Sequence, residues 1–386
     1  MNLLNGHIRG DKVIWAIIFV LSIISLLVVY SATGTLAYKY QKGNTEYYMI
    51  KHAMILLFGI GLIIMVHKVK YIWFSRLSQI AIFLAAPLLL LTLMKGANLN
   101  EASRWLAVPG TGLTFQTSDF AKIALIAYLS RLLSQKQDKI KDFKTGFIPV
   151  MIPVIIICGL ILPANFSTAA VLFATSVVLM FIGRVNLKYL LSLIGTGIVF
   201  LGLFILIVVN SSNTGRVGTW KKRIENFLSG DSKGNYQVEQ AKIAIATGGV
   251  IGKGPGKSTQ RNFLPHPYSD FIYAIIIEEY GMVAGVIILF LYLILLLRGI
   301  KASIRSEKLF GSLLAFGCSF SLVFQAMINM AVAVNLGPVT GQPLPMLSMG
   351  GTSIWFTCLS IGLILSVSAG EQQEATKEVT EESADV

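Results

Sequence analysis

Leu264-Pro265-His266-Pro267-Tyr268-Ser269-Asp270 leads straight into FIYAIIIEEYGMVAGVIILFLYLILLL over residues 271–297. A proline-rich polar segment thus hands over to an apolar run interrupted only by Glu278 and Glu279. As helix, a run of this length exceeds the roughly 30 Å of hydrocarbon in a bilayer. Nine further apolar runs stand near 13–31, 48–66, 73–94, 119–133, 147–162, 168–184, 188–209, 309–334 and 352–369. Segments of about ten residues with alternating polarity, the mark of a membrane β-barrel, are not seen. The reading is an all-α polytopic membrane protein of about ten transmembrane helices, with a large extracytoplasmic loop between the seventh and eighth.

Composition agrees. Hydrophobic residues make up 54% of the 386 positions and charged residues 13%, with mean hydropathy +0.71. That is about half the charge share of soluble domains. The net charge of +13 falls mostly between the apolar runs, so it speaks for topology and anionic lipid, and no nucleic acid is expected. The first run, preceded by Arg9 and Lys12, is too long for a signal peptide and reads as an uncleaved helix. Cys158, Cys318 and Cys358 all sit in apolar runs, without disulfide or metal spacing.

An even number of spans puts both termini on one side. If that side is cytoplasmic it receives 17 of the 32 basic residues, against five in the short loops opposite. This is the positive-inside pattern. The loop 210–270 then lies outside. It is basic, rich in glycine toward its end, and 235–247 could form an amphipathic helix at the interface. Residues 1–370 read as one transmembrane domain, and 371–386 as an acidic, disordered cytoplasmic tail.

Charges at membrane depth ask for a reason, because each costs roughly 2.5–3.5 kcal/mol on insertion scales. Asp119 and Lys122 share a helix face and pair, or Lys122 meets an anionic ligand. Asp270, at the junction of loop and span, serves either as a helix N-cap or as a base for a hydroxyl proton. Glu278 and Glu279 lie two turns deeper; Glu279 suits packing against polar groups of other spans, and Glu278 is open. Gly252-Lys253-Gly254-Pro255-Gly256-Lys257-Ser258 is not a P-loop, since Ile251 stands where glycine is required. Its amides and lysines suit a pyrophosphate, or it is a flexible turn. His266 has no metal-ligand spacing.

Four stretches in order resemble the SEDS family (shape, elongation, division and sporulation). They are Arg104-Trp105 with Gln116-Thr117-Ser118-Asp119 and Lys122; Arg223-Ile224, Tyr236-Gln237 and Gln240 through Gly248, Gly249, Gly252, Gly254, Gly256 and Ser258; Leu264-Pro265-His266, Ser269-Asp270-Phe271 and Glu278-Glu279 with Gly281; and Asn335, Pro338, Thr340-Gly341, Pro343-Leu344-Pro345, Ser348, Gly350-Gly351 and Ser353. Two departures stand out. The usual Gln-Pro-Ser-Glu is Gln116-Thr117-Ser118-Asp119, and the usual Pro-Asp-x-Gly-Thr is Ala164-Asn165-Phe166-Ser167-Thr168, which lacks the carboxylate.

The resemblance implies a peptidoglycan glycosyltransferase polymerising lipid II, of the division type (FtsW) rather than the elongation type (RodA). It implies Asp270 as the catalytic base. It implies a substrate site from Arg104, Trp105, Gln116, Ser118, Asp119, Lys122, Arg223, Gln237, Gln240, Gly254, Ser258, His266, Glu278 and Ser348. Expected partners are lipid II, a class B penicillin-binding protein, divisome proteins and membrane lipids, at the division septum of the bacterial inner membrane. A divalent cation, Mg2+ or Mn2+, is left open, and no nucleotide is needed because the substrate is already activated. The competing readings are a lipid II flippase, on the intramembrane charges, and a scaffold recruiting a transpeptidase, on the acidic tail.

Overall fold

The structure, a computed structural model, describes residues 9–99, 102–107, 114–210, 218, 221, 225 and 236–382. The ten expected spans are ten helices: α1 (Lys12–Ala32), α3 (Thr45–Val66), α4 (Ile72–Lys95), α5 (Thr117–Gln135), α6 (Ile148–Ile161), α7 (Phe166–Ile182), α8 (Leu187–Asn210), α10 (Ile272–Arg305), α11 (Leu309–Ala333) and α12 (Thr352–Glu382). Two short helices join them among the described residues, α2 (Gly34–Tyr40) and α9 (Tyr236–Gly248). Eight of the spans are long and apolar enough to cross a membrane outright, α7 is a shorter apolar helix, and α5 carries its own charges.

Helix starts follow from local chemistry. Asp11 accepts from the Val13 amide (2.8 Å), Asn44 from Tyr47 (3.1 Å) and Asn165 from Thr168 (3.3 Å). Each side chain satisfies an amide that the first helical turn leaves free. The backbone of α12 runs on past Gly370 to Glu382, and residues 383–386 of the acidic tail lie outside the described residues. A second feature was not expected. Residues after α4 form a three-stranded antiparallel sheet, β1 (Ala97–Leu99), β2 (Ala102–Ala107) and β3 (Thr114–Gln116), which delivers the chain into α5.

Contacts separate the two ends of the bundle. At one end Arg131 holds Ser75 (2.8 Å), Gln137 holds the Gly183 carbonyl (3.0 Å), and Arg298 pairs with Asp11 (3.3 Å). At the other, Thr352 donates to the Thr114 carbonyl (2.8 Å), Thr35 reaches Arg261 (3.1 Å), and the Met349 amide meets the Tyr268 carbonyl (2.9 Å). The long loops therefore gather at this second end. Span α8 stands apart, resting mainly on α7 through the stacked rings of Phe166 and Phe204 (5.1 Å).

Span α10 is broken. Gly281 has φ 80° and ψ 175°, outside the helical region and accessible to glycine. The glycine-rich turn fills the break. Amides of Lys253 and Gly254 donate to the carbonyls of Glu278 and Glu279 (3.0 and 2.9 Å). Amides of Met282 and Val283 donate to the carbonyls of Gly249 and Val250 (2.9 and 3.3 Å). These four bonds replace the two helical ones that would join 282 to 278 and 283 to 279. The approach is so close that a Cβ on Gly281 would lie 2.1 Å from the Val250 carbonyl oxygen, and one on Gly252 2.4 Å from that of Glu279.

Candidate active site

Asp270 is half-buried where the long loop enters α10. The helix begins after it, with Phe271 at the cap position, and no side chain caps α10. The N-cap reading therefore fails. Among the described residues the carboxylate instead takes one side-chain hydrogen bond, from Ser269 Oγ to Oδ1 (2.9 Å).

The Asp270 backbone is held firmly. Its carbonyl accepts from Asn329 Nδ2 (2.8 Å), which also donates to the Gln342 carbonyl (2.7 Å). Gln342 in turn reaches Thr168 Oγ1 (2.5 Å), in the first turn of α7. Ser348 Oγ donates to the Ser269 carbonyl (2.6 Å) and accepts from the Leu344 amide (2.8 Å). The segment 342–349 thus folds over the residues preceding α10.

One helical turn before Asn329, Gln325 Nε2 donates to the Pro343 carbonyl (2.9 Å), and its Oε1 accepts from Lys122 Nζ (2.9 Å). Lys122 also pairs with Asp119 Oδ1 (2.9 Å), their side chains 12% and 4% exposed. The expected intrahelical ion pair is present, and it is tied through α11 to the segment that carries Ser348 and borders Asp270. Asp119 Oδ2 has no partner among the described residues. A second chain runs from Trp105 Nε1 to Gln116 Oε1 (2.9 Å) and from Gln116 Nε2 to Ser118 Oγ (3.1 Å). Ser118 lines a small cleft with Leu89, Leu93, Leu160 and Asn165. Arg104 lies in β2, its side chain outside the described set; Arg223 lies outside the described residues altogether.

The third group is closed. Glu278 is fully buried and accepts from Lys253 Nζ (2.6 Å), Ser258 Oγ, the Thr259 amide (3.1 Å) and hydroxyl (2.9 Å), and the Gln260 amide (3.3 Å). It organises the turn after the glycines. The Gly254 amide donates to the Glu279 carbonyl and the Ser258 hydroxyl to Glu278, so both are taken up within the protein rather than left for the substrate contact expected of them. Glu279, also fully buried, accepts from Ser31 Oγ and the Ser258 amide, as its packing reading requires. His266 is exposed beside the Tyr268 hydroxyl (3.3 Å), which burial holds above its ordinary pKa. Gln237 and Gln240 are half-buried on α9.

Asn329, Gln325, Gln342 and Thr168 escape a search for charges, because they are neutral. The signal that could find two of them is a pair of amides one turn apart, Gln325 and Asn329, within an otherwise apolar span.

The arrangement is a carboxylate with free acceptor capacity, linked through buried amides to a lysine at the mouth of α5. It can take a proton from a hydroxyl and place a cation toward a developing anion. Among the described residues no three His, Cys, Asp or Glu side chains gather to hold a metal ion. Asp270 alone does not make a metal cage, although Mg2+ is often held by one carboxylate plus substrate phosphates.

Comparison with known proteins bears on this geometry. Stage V sporulation protein E of Bacillus subtilis is 34% identical over 93% of this chain and 96% of its own. The probable peptidoglycan glycosyltransferase FtsW of Trichlorobacter lovleyi is 31% identical over 93% of both chains. A chain solved in a study of the structural coordination of polymerization and crosslinking by a peptidoglycan synthase complex shares the fold. Its TM-score is 0.72 at 23% identity, covering 94% of this chain and 99% of that one. Residues 11–373 match the cell cycle protein family of FtsW, RodA and SpoVE, and the chain belongs to that family.

Proposed function

We propose that the chain is a peptidoglycan glycosyltransferase that polymerises lipid II at the division septum, with Asp270 as general base. The observation that carries the reading is the state of Asp270. It is half-buried, fixed through its backbone and, among the described residues, used neither as a helix cap nor in an ion pair. The acceptor sugar's 4-hydroxyl gives its proton to Asp270 as its oxygen bonds the donor's anomeric carbon. The bond from that carbon to the lipid pyrophosphate breaks, and the pyrophosphate leaves as an anion. Lys122, with the side chain of Arg104, supplies the positive charge that the leaving group needs.

In this reading both termini are cytoplasmic and the long-loop end faces outward, as the positive-inside pattern supports. The relatives named FtsW support the glycosyltransferase activity and a division role. The peptidoglycan synthase complex that shares the fold supports a transpeptidase partner, here a class B penicillin-binding protein within the divisome. Were a divalent cation bound, Asp270 is the carboxylate that would help hold it, and the ion would supply neutralising charge to the substrate's phosphates.

The test is purified protein with its transpeptidase partner, given labelled lipid II. Wild type is expected to build glycan chains, and Asp270→Ala to lose about 10²-fold or more in rate, the usual scale for a general base. Equal chain synthesis by Asp270→Ala would overturn the assignment. The buried Asp119–Lys122–Gln325 group favours one second reading, lipid translocation. Liposomes in which lipid II crosses the bilayer without polymerising, with loss on Lys122→Ala, would establish that instead.

A further inference from the structure

Asn329 is 2% exposed, in the last turns of α11, where a polar side chain needs a reason. Its amide nitrogen has two hydrogens and meets two acceptors, the carbonyls of Asp270 (2.8 Å) and Gln342 (2.7 Å). Two carbonyl oxygens leave the side chain one orientation, because a flipped amide would set oxygen against oxygen. Oδ1 has no partner among the described residues, so the side chain is held by its donors alone. Gln325 repeats the device one turn away, donating to the next carbonyl of the same segment, Pro343 (2.9 Å), and receiving Lys122 (2.9 Å).

One face of α11 therefore pins residues 342 and 343, the backbone of Asp270, and the ammonium of Lys122. The pinned points lie on three separate stretches of chain, far apart in sequence.

We infer that Asn329 is a positioning residue for Asp270, setting where the carboxylate stands relative to the acceptor hydroxyl. The inference rests on the reading of Asp270 as the base. Asn329 touches no reacting atom; it acts through the Asp270 carbonyl. Displacement of a catalytic group by about 1 Å costs on the order of 10²-fold in rate while leaving substrate binding in place.

The experiment compares Asn329→Leu and Asn329→Gln with wild type and Asp270→Asn, each purified with the transpeptidase partner and assayed on labelled lipid II. Leucine fills the same space in an apolar span but donates nothing; glutamine keeps both donors on a longer arm. The expected result is a kcat about 10- to 100-fold lower for Asn329→Leu, with KM within about twofold and a melting temperature lowered only modestly by the two carbonyls left without a donor, and partial recovery of kcat in Asn329→Gln. The inference is overturned if Asn329→Leu keeps wild-type kcat. It is equally overturned if kcat, KM and melting temperature all deteriorate together in both variants, which marks a purely structural residue. Asp270→Asn separates the two levels. Full activity there removes the base assignment itself, whereas an inactive Asp270→Asn beside a fully active Asn329→Leu removes the positioning role alone.

Discussion

Asp270 and Glu278 are eight residues apart, both carboxylates, both at the long-loop end, and they have opposite surroundings. Glu278 is fully buried, with five hydrogen-bond donors from residues 253–260 converging on its two oxygens. Asp270 is half-buried and, among the described residues, takes one side-chain hydrogen bond. A carboxylate already saturated with donors has no lone pair for a substrate, and ionised burial without such donors would be prohibitive. One group builds the molecule and the other is left able to react. Both stood as candidate site residues, and what separates them is how much of their acceptor capacity the protein itself consumes.

The contrast breaks most sharply if the two residues are exchanged in effect. Asp270→Ala should cost about 10²-fold or more in polymerisation while the melting temperature stays put. Glu278→Ala should do the reverse first: it leaves the Lys253 ammonium and several donors unpaired, for about 3–5 kcal/mol of stability, read as a lower melting temperature. If Glu278→Ala keeps its stability and loses only activity, the division between building and reacting groups is wrong. Gly281→Ala comes next. Its φ of 80° and the 2.1 Å approach to Val250 predict a loss of at least 1–3 kcal/mol, read as a lower melting temperature and faster proteolysis between 249 and 254. Ser269→Ala is the mildest. Removing this side-chain donor to Asp270 should change the rate only a few-fold, on the scale of about 1 kcal/mol for a hydrogen bond. A loss as large as that of Asp270→Ala would mean that Ser269 takes part in the proton transfer.

The spans were legible because their signal is local. Apolar runs of the right length found all ten helices, including α5, whose charges at Asp119 and Lys122 set it apart. The break in α10 was not legible. Its cause is the seating of 249–254, some thirty residues earlier, and glycine at 281 announces a special backbone without naming its partner. The same holds for the glycines at 248–256. Their number suggested an anion cradle, while Gly248 and Gly252 pack closely against the backbone of α10 and Gly249, Gly254 and Gly256 take positive φ. The sheet at 97–116 has strands of three to six residues, too short for alternation to register. Asp270 could be found from its place at a loop–span junction and from family resemblance. Asn329 and Gln325 could not be found by counting charges, since a neutral amide deep in a span differs from its apolar neighbours only in its need for partners.

The mended break in α10 also has a consequence for how the chain is made. The carbonyls of Glu278 and Glu279 and the amides of Met282 and Val283 find their partners in a segment synthesised before them. In hydrocarbon each unsatisfied backbone group costs several kcal/mol. The first half of the eighth span therefore cannot settle as a finished membrane helix on its own. Segment 249–254 must already be on the same side of the bilayer and waiting when the span emerges. Seating of the long loop is in that sense a step in building the next helix, and the order of synthesis is written into the geometry of the finished protein.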